Sequence, residues 1–295
     1  MSEAYYRQMH KHRPFKDVEA ERPDFETSYE PHFTKVAEPD FKPGQGLNSL
    51  PYSKEHEASQ GAFRSITPEQ ENKSDIYKAS QVTCTLISHD ATRLDDFRGC
   101  EDGHANLAPI SYFNVVAHNP PTLMISVAGG KHPDGWKDTN HNILNTKEFC
   151  VSIISETFLE ASNYTAIDSP PEVDEWALSG LTQRSSETIK PPHVAESAFS
   201  MECTLSHSHE LIGDEGKPTH TVILGRIGRF QVRENFLDPN DPFRIMAEKL
   251  KPIGRLGGIS YARINQLVEV PRPVWDQVKD TSEIKDALQK GAKKE

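Results

Sequence analysis

Four cysteines in 295 residues, far apart and without a CxxC pair, are too few for a disulfide scaffold in a chain of this length. Cys84, Cys100, Cys150 and Cys203 are expected to be reduced, structural thiols of a cytoplasmic protein. Positive charge is also scarce: 33 Lys and Arg stand against 44 Asp and Glu, a net charge of −11. Phosphate backbones and anionic membrane surfaces attract basic faces, so neither nucleic acid nor a membrane is an expected partner. No apolar run approaches membrane-spanning length, and the opening MSEAYYRQMH lacks the apolar centre of a secretion signal. The closing GAKKE is not a retention or peroxisomal address.

The common cofactor loops are missing as well. No GxxxxGK[ST] is present to cradle the phosphates of ATP, and no GxGxxG follows a strand in a βαβ unit. There is no GxSxG elbow, HExxH pair or kinase signature. SHSHE sets His207 and His209 on one face of a strand, but no third ligand follows nearby, so no metal is expected.

What is present divides into three stretches. Residues 1–75 carry seven prolines and no sustained period, yet Tyr5, Tyr6, Phe15, Phe25, Tyr29, Phe33, Phe41, Tyr52 and Phe63 recur through them. Large rings bury much apolar area, which predicts an extended arm lying on a folded surface. From residue 76 to 270 the pattern is one of strands, β-branched or alternating: 82–88, 122–129, 148–155, 199–208, 221–232 and a last one from Gly258. Short helices are expected near Asp138, near Ser155 with Phe158 and Leu159 on the apolar side, and after Asp241. In the last, Asp241 would cap, Pro242 would take the first turn and FRIMAEKL would follow. Residues 271–295 form a tail that reads as a surface helix with a basic end. Many strands with few short helices predict a mainly β barrel or sandwich with helical decorations.

Three segments carry candidate chemistry. GHANLAPISYFN (103–114) joins small residues to Asn106, Ser111 and Asn114, with Pro109 fixing the backbone. Small side chains let main-chain N–H and C=O groups approach a flat ligand, although an ordinary irregular connection reads the same way. GWKDTNHNIL (135–144) opens a helix that Asp138 or Thr139 could cap. Its first N–H groups, the positive end of its dipole and Lys137 would favour a phosphate; a capped surface helix with Lys137 in solvent is the plainer alternative. LKPIGRLGGISYARI (250–264) surrounds Arg255 with glycines and places Tyr261 in the strand beyond, which also describes a plain turn before an edge strand.

Taken in order, LIS, NLAPISYFN, PPTLMISV, KDTNHNI, EFCVSIISE, VDEWALSGL, PPHVAES and GRLGGISYARI resemble the flavin reductase-like FMN-binding split-barrel family, over roughly residues 80–264. The resemblance implies a split β-barrel holding FMN. Lys137 and Thr139 would hold the phosphate, while Ser88 and the run Asn106, Leu107, Ala108, Pro109 to Ser111 would line the flavin. Asp138, Arg255 and Tyr261 complete the expected cofactor-binding set. It further implies a homodimer and an oxidoreductase that takes hydride from NAD(P)H. A flavin-carrying electron-transfer protein, and an oxygenase whose long acidic 89–105 loop serves an organic substrate, are the alternatives. His118, His141 and His220 are candidates for substrate contact, with structural or surface roles as the simpler reading.

Overall fold

The computed structural model describes residues 14–27, 30–79, 85–90, 105–130, 135–170, 173–271 and 273–292. Its strands are β1 (Phe63–Ile66), β2 (Thr85–Asp90), β3 (Ala105–Ile110), β4 (Phe113–His118), β5 (Pro121–Ala128) and β6 (Glu148–Ile153). After the short β7 (Gln183–Arg184) and β8 (His193–Val194) come the long β9 (Phe199–Ile212) and β10 (Pro218–Arg233). Four short strands follow, β11 (Leu237–Asp238) paired with β12 (Asp241–Ile245), then the β13 (Ile253–Gly257) and β14 (Ser260–Arg263) hairpin.

Alternation explains the sheet. In β5 every second residue from Pro121 to Val127 is buried, and β10 repeats this at Thr221, Ile223, Gly225 and Ile227. One side of each strand therefore faces a core while the other stays open. The strands join in the order β3-β2-β6-β9-β10-β5-β4, with β1 also on β10. β10 is long enough to serve two partners on one edge. Its first half pairs with β5, from His220↔Ala128 to Arg226↔Thr122, and its last residues pair with β1, from Phe230↔Ile66 to Arg233↔Phe63. Such a shared strand, bulged against β9 at three places, bends the sheet around its contents. Phe199 and Phe230 stack inside at 5.9 Å, among Leu123, Ile125, Phe149, Val151 and Ile223. The expected mainly β class with short helices is what the chain adopts.

A second cluster lies under the helices. Leu107, Ile154, Phe158, Trp176, Leu181, Val194 and Ile253 pack together, with Phe41, Leu47 and Tyr261 against them. Ser155 accepts a hydrogen bond from the Thr157 amide at the start of a 3₁₀ turn that leads into the Leu159–Tyr164 helix, as the sequence predicts. Asp174 caps the Glu175–Ser179 helix by accepting from Trp176 N at 2.9 Å.

Four expectations change. The helix placed after Asp241 is a strand over Asp241–Ile245, and only Ala247–Leu250 is helical. Phe243 and Ile245 answer to a two-residue period that the Asp-Pro start had masked. Residues 105–110 and 113–118, taken as a connection, form β3 and β4. The tail is two helices, Trp275–Val278 and Ser282–Ala292, rather than one. At the start of the Asp138–Thr146 helix the N-cap position falls on Lys137, which makes no side-chain cap hydrogen bond, rather than on Asp138 or Thr139.

By compactness the chain forms two units, residues 34–238 with 242–264, and residues 1–33 and 239–241 with 265–295. Residues 34–66 belong with the barrel and are built into it. Phe41 meets Tyr164 at 5.8 Å, and the Tyr52 hydroxyl donates to the Glu156 carboxylate. Asn48 Nδ2 donates to Glu156 O at 2.7 Å and to Glu160 Oε2 at 2.9 Å. The Arg233 guanidinium, fully buried, donates to the carbonyls of His56, Gln60 and Ala195. Gly44 and Gly46 donate to Leu178 O and Ser179 O, and Gly180 is essential to that approach: a Cβ there would stand 2.3 Å from Gly44. In the other unit Arg22 pairs with Glu269, while Phe25 and Phe33 stay largely exposed. Tyr5, Tyr6 and Tyr29 lie outside the described residues.

Candidate functional site

β3 ends the sheet, with β2 as its one neighbour among the described strands. Every second residue of such a strand turns its backbone groups away from the sheet, and Pro109 has no N–H to offer there. Ala105 and Leu107 are buried, whereas Asn106, Ala108 and Pro109 are half-buried and Ser111 is exposed. Three helices gather on this strand: Asp138–Thr146, Leu159–Tyr164 and Glu175–Ser179. The first of these also lies against β2. Two of the three sequence-singled segments, 103–114 and 135–144, therefore meet.

The start of the Asp138–Thr146 helix is held from below. Gly129 bridges Trp136, and Gly130 N donates to Gly135 O at 2.8 Å. A Cβ on Gly130 would stand 2.9 Å from Lys137 Cγ, so the turn after β5 fits under Lys137 only as glycine. The Lys137 carbonyl accepts from Asn140 N and His141 N, while its side chain is exposed. Asp138 is half-buried; Thr139 and Asn140 are buried. A helix end without a side-chain cap keeps its positive partial charge available, and Lys137 adds a full one.

The third segment is near but occupied with itself. Tyr261 packs on the cluster that contains Leu107 and donates to Asn163 Oδ1 at 3.0 Å. Arg255 lies over the Tyr261 ring at 4.5 Å and donates to Gly258 O within the same hairpin. Ser88 is on β2, in register with Leu107 and Cys150; its side-chain surroundings, the loop 91–104, Cys84 and Cys100 lie outside the described residues.

Buried polar atoms without a hydrogen-bond partner among the described residues occur at several places, Thr157 Oγ1, Trp176 Nε1 and Arg233 Nε included, and two of them lie here. Asn106 Oδ1 and Asn140 Oδ1 are buried and have no hydrogen-bond partner among the described residues. Buried acceptors are nearly always paired, and an unpaired one costs about 1–3 kcal/mol. One lies on β3 and the other in the first turn of the facing helix. Asn106 Nδ2, by contrast, is satisfied: it donates to Glu175 Oε2 at 2.9 Å. Glu175 was not among the sequence candidates. Desolvation raises its carboxyl above the usual range, although Ser169, Asn106 and the Leu107 backbone favour its charged form. The contact spans 69 residues, and its one trace in the sequence is VDEWALSGL, whose Asp174 cap fixes where the helix begins.

The remaining candidates sit elsewhere. His207 and His209 are exposed on β9, opposite Leu224 and Val222. Among the described residues no three His, Cys, Asp or Glu converge as metal ligands. His220 meets the Tyr112 ring at 5.8 Å, His118 is exposed at the end of β4, and His141 is half-buried. Cys150 and Cys203 are buried in the sheet, where burial pushes both thiols well up. Among the described residues no helix is long and apolar enough to cross a membrane.

Comparison with known proteins agrees with this geometry. Residues 97–248 match the family model described as flavin reductase like domain. An uncharacterised protein of Aquifex aeolicus is 40% identical over 163 residues, spanning 55% of this chain and 79% of its own. Nitrilotriacetate monooxygenase component B from Bacillus cereus is 35% identical in structural alignment, with a TM-score of 0.56, 72% of this chain and all of its own covered. Flavoredoxin of Desulfovibrio vulgaris, at 20% identity and a TM-score of 0.51, covers 64% of this chain and 89% of its own, and shares the fold. The open sheet between β3 and β4 is thus the split barrel of these proteins, and the chain belongs to the flavin reductase like domain family.

Proposed function

We propose that this chain binds FMN on β3 and the Asp138–Thr146 helix and acts as an NAD(P)H-dependent oxidoreductase of the flavin reductase type. The observation that carries the reading is the pair of buried, unpaired amide oxygens, Asn106 Oδ1 and Asn140 Oδ1, on those two elements. Asn106 Oδ1 on β3 fits a ligand with an N–H or O–H donor, and the helix start beside Lys137 fits an anionic group on the same ligand. FMN is such a ligand, and when bound it supplies the acceptance of a hydride and the onward passage of electrons.

The chain's own part is binding and orientation. Lys137 and the first helical amides hold the phosphate, with the Thr139 hydroxyl as a further donor. Ser88, Leu107, Ala108, Pro109 and Ser111 would border the ring, and main-chain N–H groups of β3 would offer it hydrogen-bond donors. Asp138 lies in the same first turn, and Tyr261 closes the floor beneath β3 through the cluster it shares with Leu107. Arg255 orients that tyrosine through its stacking. Without a dinucleotide fold, a nicotinamide would have to reach the flavin from an open surface cleft. A homodimer completes the cleft, and the cytoplasm is the compartment. The match to the flavin reductase like domain supports the reductase reading over a passive electron carrier.

The test is direct. The purified protein, mixed with FMN, should show a perturbed flavin absorption band and oxidise NADH or NADPH faster than free FMN does. A flavin that binds but never turns over would favour the carrier reading; no binding of any flavin would remove the proposal.

A further inference from the structure

Glu175 has no role in the reading so far, yet it decides how Asn106 faces the site. Its carboxyl is buried at the first turn of the Glu175–Ser179 helix, which lies on β3. Ser169 Oγ donates to Oε1 at 3.2 Å, and Asn106 Nδ2 donates to Oε2 at 2.9 Å. The carboxyl oxygen thus accepts from the NH₂ end of the amide. Oδ1 is thereby turned away from Glu175, into a buried position without a donor among the described residues.

A donor is what the position lacks. The polar edge of an oxidised isoalloxazine ring carries acceptors at N1, O2, O4 and N5 and one donor, the N3–H. We propose that Glu175 is a positioning residue that fixes the Asn106 amide so that Oδ1 accepts the N3–H of the flavin. The inference rests on the flavin-binding reading and adds to it a residue and a ring atom. It also explains why a carboxylate is kept buried at that helix start: Glu175 fixes an acceptor that water would otherwise compete for. Asp174, beside it, already caps the helix, so the fold does not need Glu175 for that purpose.

The test compares riboflavin with 3-methylriboflavin, which lacks the N3 proton and keeps every ribityl hydroxyl. Binding is read by quenching of flavin fluorescence, with thermal melting of each variant alongside. The wild-type protein should bind riboflavin about tenfold more tightly than the methylated compound, the worth of one neutral hydrogen bond. Asn106→Ala should weaken riboflavin by a similar factor and abolish the preference. A merely steric effect of the methyl group would leave riboflavin binding to Asn106→Ala unchanged, and would overturn the proposal. Glu175→Ala should also erase the preference, and Glu175→Gln, which keeps an acceptor oxygen, should restore most of it. If Glu175→Ala does not fold, Glu175→Asp is the second variant: it keeps the charge, falls one methylene short of the amide, and should lose the preference too. Equal binding of the two flavins by wild type, or a preference that survives both Glu175→Ala and Glu175→Asp, would contradict this assignment while leaving flavin binding intact. No flavin binding at all would instead remove the reading beneath it.

Discussion

Gly225 of β10 and Phe149 of β6 are complementary in shape: a Cβ on Gly225 would stand 2.4 Å from Phe149 Cζ. Phe149 is fully buried, so its ring cannot swing into solvent to make room. Gly225→Ala should therefore destabilise the barrel by about 1–3 kcal/mol, the usual cost of overpacking. A urea unfolding curve reads this as a lower midpoint. An unchanged midpoint would mean that the two strands separate readily there, and that the interior is looser than the contact implies.

Acid should loosen the packing of residues 56–66 first. His56 and His193 are both buried, and burial lowers each from 6.5 to about 4. A histidine with a depressed folded value is held neutral in the fold and takes up a proton on unfolding. Its contribution is fully present above pH 6.5 and is lost as pH falls towards 4. Glu156 and Glu202, whose carboxyls are held low by their donors, lose their contribution in the same direction. Glu175 and Glu196 are raised by burial and oppose the trend. Urea midpoints should accordingly drop between pH 7.5 and pH 5, and His56→Gln should flatten part of the slope. A midpoint independent of pH over that range would contradict the buried, neutral histidines.

Truncation separates the two compact units. Removing residues 1–33 should leave barrel melting unchanged, because the barrel unit begins at Thr34. Removing residues 1–60 takes away Asn48, Tyr52 and the His56 and Gln60 carbonyls that Arg233 uses. Breaking the partners of a buried charge costs about 3–5 kcal/mol, so this shorter protein should melt far lower or fail to fold. Equal melting of the two truncations would show that residues 34–60 add nothing.

Much of the barrel was legible because its strands obey a simple period. Leu123, Ile125 and Val127 alternate cleanly, and so do Ile223, Gly225 and Ile227. The Ser155 cap with Phe158 after it was equally plain. β3 and β4 were less so, since Pro109 and the Ser111–Tyr112 turn look like connection chemistry and gain strand character from their neighbours. The Asp-Pro pair at 241 imitates a helix start, and only pairing with β11 makes it a strand. Aromatic spacing told apart neither Phe41 and Phe63, which are packed, nor Phe25 and Phe33, which are not. Local pattern was enough to single out Asn106 and Lys137 as candidates. Glu175 was hidden because its meaning lies in a partner far along the chain, and Asn140 because an unpaired oxygen is a property of the fold alone.

The central claim is that the helix start at Lys137 receives the phosphate of FMN. Wild type and Lys137→Ala should be titrated with FMN and with riboflavin at two salt concentrations. Loss of one charge-assisted partner is worth on the order of 1.5–3 kcal/mol, so FMN should bind roughly ten- to a hundredfold more weakly to the variant. Riboflavin has no phosphate and should bind both proteins alike, and salt should narrow the FMN difference. Equal losses for both flavins, or no loss for either, would contradict the account and place the anion elsewhere.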